Sequence, residues 1–146
     1  MSRLTCLLLM LAWSATASAL QVQAGGAVTH AGALTLKDAA RLSDAALAAQ
    51  PQPQAYMLGA AWLRPGLLES QRRLKAGVLF DLTSLQRRAH VDGKSELASI
   101  ARSLAAWITS MPVTGRQPGS LLDPRAVEVN AEENRPITTG DQLYYP

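Results

Sequence analysis

Cysteine is almost missing from this 146-residue sequence: the one thiol, Cys6, lies inside an N-terminal apolar run. If that run is removed, the remaining chain forms no disulfide, binds no metal through sulfur and uses no cysteine nucleophile. Histidine is nearly as scarce. His30 and His90 are far apart in sequence, so no histidine pair stands at metal-ligand spacing. Aromatic residues make up 5% of the chain. Beyond residue 13 they are Tyr56, Trp62, Phe80, Trp107, Tyr144 and Tyr145. Basic residues are in slight excess, 14 Lys and Arg against 11 Asp and Glu. They do not form the one-sided basic face with aromatic partners that marks a nucleic-acid binder. After residue 19 no apolar run approaches the roughly 20 residues that a membrane-spanning helix needs.

What is present begins with a leader. Arg3 is followed by an apolar run of about 10 residues, 4–13, and then by the small-residue stretch 14–19, the three-part pattern of a cleaved secretory signal peptide. Residues 1–19 are therefore expected to be removed after Ala19, and the protein to work outside the cytoplasm. Because Cys6 sits within the apolar run and not at the cleavage site, lipid attachment is not expected. Roughly 127 residues remain, the size of one domain that closes a core without staples.

Residues 21–34 set Val22 and Val28 among Gly25, Gly26 and Gly32, which predicts two short strands joined by a glycine turn. Thr35 and Asp38 predict a helix cap, with Leu36, Ala39, Ala40, Leu42, Ala46 and Leu47 as the apolar side of a short helix ending before Pro51. A proline-containing connector covers 50–54, and 55–63 is apolar enough for a buried strand. Leu67, Leu68, Gln71, Leu74, Val78, Leu79, Leu82 and Leu85 then repeat at helical spacing, as do Leu97, Ile100, Ala101, Leu104, Trp107, Ile108 and Met111. The short link 90–94, with Asp92-Gly93 at its turn, makes these an antiparallel hairpin over about 66–111. Each stripe is expected to cover the other, with Gly77 as a small contact residue and Trp62 and Trp107 in the core. Pro112 ends the second helix. A Pro- and Gly-rich loop follows over 112–124, then Val127 and Val129 at strand period. Last comes a strand near Ile137 and residues 143–145, entered through Thr139-Gly140-Asp141, with the two tyrosines on opposite faces. The fold class is α+β.

Several of these stretches together resemble one family. They are Tyr56-Met57-Leu58-Gly59-Ala60-Ala61-Trp62-Leu63-Arg64, residues 71–82, Met111-Pro112-Val113-Thr114-Gly115-Arg116, Leu122-Asp123-Pro124, Asn134-Arg135-Pro136 and the closing Gly140-Asp141-Gln142-Leu143-Tyr144-Tyr145-Pro146. The chain from residue 20 to 146 is similar to the capsule-biosynthesis GfcC-like proteins, periplasmic accessory factors encoded with capsule or exopolysaccharide secretion systems. The resemblance implies a β-grasp (SLBB-like) domain with an inserted antiparallel helical hairpin, no cofactor, and capsular polysaccharide or the outer-membrane export machinery as partner. Members of that family look longer, with a second β-grasp domain and a terminal helix beyond the point matched by Pro146. That half is absent here, so the chain reads as a fragment or a short form.

The chemistry-bearing residues favour contact over catalysis. No Gly-x-Ser-x-Gly, His-Glu-x-x-His or phosphate loop is present, and a lone histidine without a positioned partner is a weak general base. A glycosidase needs two carboxyl groups about 5–9 Å apart across a cleft. Glu132 and Glu133 fall in a loop instead, and Glu69, Asp81 and Glu96 fall on solvated helix faces. Arg116, in a turn with Thr114 and Gly115, stands out because a guanidinium there can take a carboxylate or phosphate in bidentate fashion. The alternative for Arg116 is a salt bridge that fastens the hairpin to the sheet. Trp62, with the tyrosines, is the candidate for sugar stacking. Arg72, Arg73 and Lys75 form a basic cluster read as a solvated face, with Glu69 and Arg73 as an i,i+4 pair. Three functions follow as expectations: a non-enzymatic accessory protein of capsule or exopolysaccharide export, an enzyme trimming the polysaccharide, and a domain that docks a partner through its hairpin.

Overall fold

The computed structural model describes residues 19–118 and 122–146. The predicted leader, apart from Ala19, and the centre of the Pro- and Gly-rich loop lie outside these residues. In chain order the elements are β1 (Leu20–Gly26), β2 (Gly32–Leu36), α1 (Leu42–Ala49), β3 (Ala61–Leu63), α2 (Leu68–Val91), α3 (Ser95–Ser110), α4 (Pro124–Val129) and β4 (Gln142–Tyr145). The architecture is α+β with a mixed sheet of order β2-β1-β4-β3. β1 pairs antiparallel with β2 from Leu20↔Leu36 to Ala24↔Gly32 and parallel with β4 from Gln23↔Gln142 to Gly26↔Tyr145. β3 closes the other edge antiparallel to β4.

The strands alternate, so one sheet face is polar and the other carries the core. Val22 and Ala24 of β1, Trp62 of β3 and Leu143 and Tyr145 of β4 point to the covered face, where Leu42, Ala45 and Ala49 of α1, Val127 of α4, and Leu122 and Ile137 close over them. Tyr144 remains half exposed while Tyr145 is buried, the predicted division of the pair. Burial pushes the Tyr145 hydroxyl far above the usual phenol range, and the nearby Asp123 charge adds to the effect. That hydroxyl donates to the Leu122 carbonyl at 3.1 Å.

The two long helices stand where the periodicity puts them. α2 is 24 residues and α3 is 16, and Gly93, with φ of 71°, turns the chain between them. The Lys94 N–H reaches back to the Ala89 carbonyl at 2.8 Å, the bond that closes a helix ending in a left-handed glycine.

Six expectations fail. The first helix starts at Leu42 and not near residue 36, because Leu36 completes β2 and Ala39 has φ of 60°, a left-handed conformation that interrupts a right-handed helix. Its start is satisfied from afar: the Leu42 N–H donates to the Arg135 carbonyl at 3.0 Å and the Ser43 N–H to Asn134 Oδ1 at 3.1 Å. Residues 55–63 yield a strand only at Ala61–Leu63, since a 3-10 turn occupies Met57–Gly59. Val127 and Val129 lie in α4, not in a strand. Asp123 caps that helix by accepting from the Arg125 N–H at 3.0 Å, and Pro124 opens its first turn. The hairpin stripes also do not cover one another: Ala89, Ala98 and Ala101 are buried, whereas Leu74, Ile100 and Trp107 are 69%, 57% and 59% exposed. Trp107 is therefore no core residue. Gly77 has nothing within 4 Å of where a Cβ would stand, so it is not a close helix contact.

Candidate functional site

The turn that follows α3 is built onto the free edge of β3. The Arg64 N–H donates to the Gly115 carbonyl at 2.9 Å and the Gln117 N–H to the Trp62 carbonyl at 2.8 Å, with Leu63 and Arg116 bridged between them. Gly115 has φ of 73°, and a Cβ there would lie 2.5 Å from the Arg64 carbonyl oxygen. Only glycine fits this approach. The side chain of Gln71, on the first turn of α2, completes the turn with both ends of its amide. Oε1 accepts from the Gly115 N–H at 3.0 Å and Nε2 donates to the Arg116 carbonyl at 2.9 Å.

On this frame Arg116 is exposed. Its Nη2 donates to the Ala60 carbonyl at 3.0 Å, and among the described residues it forms no ion pair. The salt-bridge alternative is thus replaced by a backbone bridge and the Gln71 clasp, and the guanidinium is held at one corner only. Thr114 is exposed beside it. The third candidate, Trp62, is elsewhere: it is 1% exposed and points into the core side of the sheet.

Trp62 belongs to a second cluster, centred on Asp141. This carboxylate is fully buried. It accepts from Trp62 Nε1 at 3.0 Å, from Arg64 Nη2 at 2.8 Å, and from the Thr138 N–H and hydroxyl at 3.0 Å each. Arg64 also donates to the Pro136 carbonyl at 2.8 Å and stands over the Trp62 ring, its Cζ 4.6 Å from the centroid. Arg135 lies over the same ring at 5.5 Å. With donors filling its lone pairs, Asp141 is a joint between β3 and the 134–141 loop.

The remaining acids are engaged locally or exposed, apart from Glu133, which is partly buried and whose Oε2 has no hydrogen-bond partner among the described residues. Glu69 pairs with Arg73 at 3.1 Å, the predicted i,i+4 contact, Asp92 with Lys94 at 3.5 Å, and Asp44 accepts from the Arg41 N–H at 2.8 Å. His30 Nδ1 lies 3.0 Å from the Ala48 carbonyl oxygen, and His90 is exposed at the end of α2. Among the described residues no three His, Cys, Asp or Glu side chains gather as a metal site would require. None of the helices there is long and apolar enough to cross a membrane.

Three participants escape a local reading of the sequence. Gln71 reads as one more member of a leucine stripe, and its polarity within that stripe is the available signal. Lys75 reads as part of a solvated basic cluster. Instead its Nζ donates to the carbonyls of Thr109 and Met111 at 2.9 and 2.6 Å, satisfying the open end of α3. Asp141 reads as a turn residue, and the Asp that follows Gly140 does close such a turn on Thr138, but its partners Trp62 and Arg64 are remote in sequence.

No curated protein matches the chain. The family model described as capsule biosynthesis GfcC, N-terminal, matches residues 18–146. The match takes in the Arg116 turn, the Asp141 joint and the hairpin alike, and the chain belongs to this capsule-biosynthesis family.

Proposed function

We propose that the protein is a non-enzymatic, periplasmic accessory factor of capsule or exopolysaccharide biosynthesis and export, built on a β-grasp (SLBB-like) domain. It acts by binding: the turn at 114–116 takes an acidic group of the polysaccharide, or of the secretion machinery, on Arg116. The family assignment supports the capsule context, and the leader pattern of residues 1–19 supports the compartment. The β-grasp reading draws on a mixed sheet with its first and last strands parallel at the centre and a helix across one face. The observation that carries the binding role is the state of Arg116. One N–H is fixed on the Ala60 carbonyl, the turn is clasped by Gln71, and no carboxylate partner stands among the described residues. A fork held in place with donors to spare is prepared for a carboxylate or phosphate. The dispersal of the acids over separate elements, and the saturation of Asp141, speak for contact over hydrolysis.

The test is retention of acidic capsular polysaccharide by the immobilised protein, wild type beside Arg116→Ala. Salt-sensitive retention that falls about tenfold in the variant, a loss of about 1.4 kcal/mol, is the expected outcome. Equal retention by both proteins would sink the role of Arg116. A second reading, docking through the hairpin, is favoured by one observation of its own, the uncovered apolar side chains of α2 and α3.

A further inference from the structure

Arg116 leaves the chain on the outer face of the sheet. It is bridged antiparallel to Leu63, and directly opposed residues of such a pair project to the same side. Trp62, one residue before Leu63, points to the core, so Leu63 and Arg116 point away from it. The Arg116 Nη2 is held on the Ala60 carbonyl at 3.0 Å, and the next residue, Ala61, pairs with Tyr144 of β4. The guanidinium and Tyr144 therefore stand within a residue of the same level, two strand spacings or about 10 Å apart. At that level only the Ala61 methyl lies between them. Tyr144 is half exposed, and its ring leans towards Gly25 of β1, where a Cβ would lie 3.7 Å from the ring's Cδ2. Beside the ring, Gln23 and Gln142 are paired across β1 and β4 and, with Leu63 and Tyr144, border a shallow depression of about 170 Å³. Neither amide has a hydrogen-bond partner among the described residues. The outward positions of all four strands are uncharged. The depression is smaller than the roughly 300–1,000 Å³ of a pocket that encloses its ligand, so a ligand rests on this face and does not enter it.

We propose that this face is the sugar platform of the Arg116 site. A neutral sugar ring of an acidic polysaccharide rests on Tyr144 with its hydroxyls on Gln23 and Gln142, while an acidic sugar of the same polymer is held by Arg116. The inference rests on the Arg116 reading and deepens it by naming what binds beside the acid. Tyr144 takes the stacking part that the buried Trp62 cannot. The face of an aromatic ring is negative, and the C–H bonds on the face of a pyranose carry slight positive charge, so the two stack. A glutamine amide offers a donor and an acceptor, as a hydroxyl requires. Charge complementarity selects the occupant. One cation beside an otherwise neutral face matches a polymer whose acids are spaced among neutral sugars, whereas an anionic membrane or a nucleic acid presents rows of charge and asks for clustered cations. Capture of one sugar raises the effective concentration of the other at its site, so the two contacts together hold a polymer that neither would hold alone.

The experiment is retention of acidic capsular polysaccharide by the immobilised protein at low and high salt, with wild type beside Tyr144→Ala, Tyr144→Leu, Tyr144→Phe and Arg116→Ala. Tyr144→Ala is expected to lower retention about tenfold, by the same factor at both salt concentrations, because a stacking contact is not screened. Arg116→Ala is expected to lose most at low salt. Tyr144→Phe keeps the ring and should stay within about twofold of wild type. Tyr144→Leu keeps apolar bulk without the ring face and should fall nearly as far as Tyr144→Ala. Its urea midpoint checks that the fold is intact. Retention by Tyr144→Ala equal to wild type, with Arg116→Ala impaired, overturns the platform and leaves the Arg116 reading standing. Full retention by Tyr144→Leu overturns it too, since the face would then serve apolar packing. Loss in Tyr144→Ala with Arg116→Ala unaffected would remove the Arg116 reading and, with it, the two-point contact proposed here.

Discussion

In the sheet body Leu42, Trp62, Leu122, Leu143 and Tyr145 are each less than 2% exposed, whereas in the hairpin Leu74, Ile100 and Trp107 keep more than half of their surface open. The residue types are alike, so hydrophobicity does not distinguish the two regions. Closure does. A sheet face is broad, and α1, α4 and the 122–141 segment lie across it, so an inward side chain meets neighbours on every side. Two helices meet along a line, and side chains a quarter turn from that line have nothing above them. A hairpin needs a further layer before its stripe becomes a core, and the described chain supplies none.

Polar groups repeat the contrast. The body holds one fully buried carboxylate with all its donors in place, and the hairpin holds exposed pairs such as Glu69 with Arg73. Asp141→Ala strikes the body hardest: it leaves the Arg64 guanidinium and the Trp62 N–H without their acceptor, and a loss of about 3 kcal/mol is expected. The urea midpoint should fall accordingly. A stability change under 1 kcal/mol would mean that the body is held by packing alone and would erase this half of the contrast.

A smaller effect sharpens the comparison through pH. Tyr145 is raised in the folded state, chiefly by burial, so its folded form keeps the proton after an unfolded chain would have lost it. Its contribution is present in full below the unfolded value near pH 10 and is lost as pH rises, by about 1.4 kcal/mol per pH unit until the folded group itself ionises. Tyr145→Phe should remove that slope in denaturant titrations, at a neutral-pH cost of about 1 kcal/mol for the bond to Leu122. A slope unchanged in the variant would place its origin in another group.

The smallest prediction has the opposite sign and belongs to the hairpin. Gly77 lies in mid-helix facing open space, so Gly77→Ala removes backbone freedom from the unfolded chain and meets no clash. Stability should rise by about 0.5–1 kcal/mol, read from the thermal midpoint. A decrease would show that something approaches that side of α2 in solution.

How much of this was readable beforehand depended on the range of the interaction. Helix periodicity and the Asp92-Gly93 turn are written within a few residues, and the hairpin followed from them directly. The β1–β2 pair was equally local. The segment of α4 reads as a strand because two valines two apart fit a strand as well as a single helical turn, and the deciding signal is the Asp123-Pro124 cap just before them. The sequence places the start of α1 too early because Thr35 and Asp38 suit a cap locally, while the backbone turns left-handed at Ala39 and the actual start is satisfied by Asn134 and Arg135. At the candidate site Arg116 and Gly115 could be singled out from their turn, but the Gln71 clasp and the Asp141 joint span distances along the chain that no local pattern encodes. Exposure of the hairpin was invisible for a related reason: an amphipathic stripe states that a face wants covering and does not say by what.

The Gln71 amide has a mechanical consequence. Both chain crossings between the two regions, at Arg64 and at Gly115, are hydrogen-bonded to each other, and Gln71 ties the second of them to the first turn of α2. The hairpin root is therefore a welded bracket and not a hinge. A push on the far tip near Gly93, roughly 36 Å along α2, arrives as torque on the edge strand β3 and on the Arg116 turn beside it.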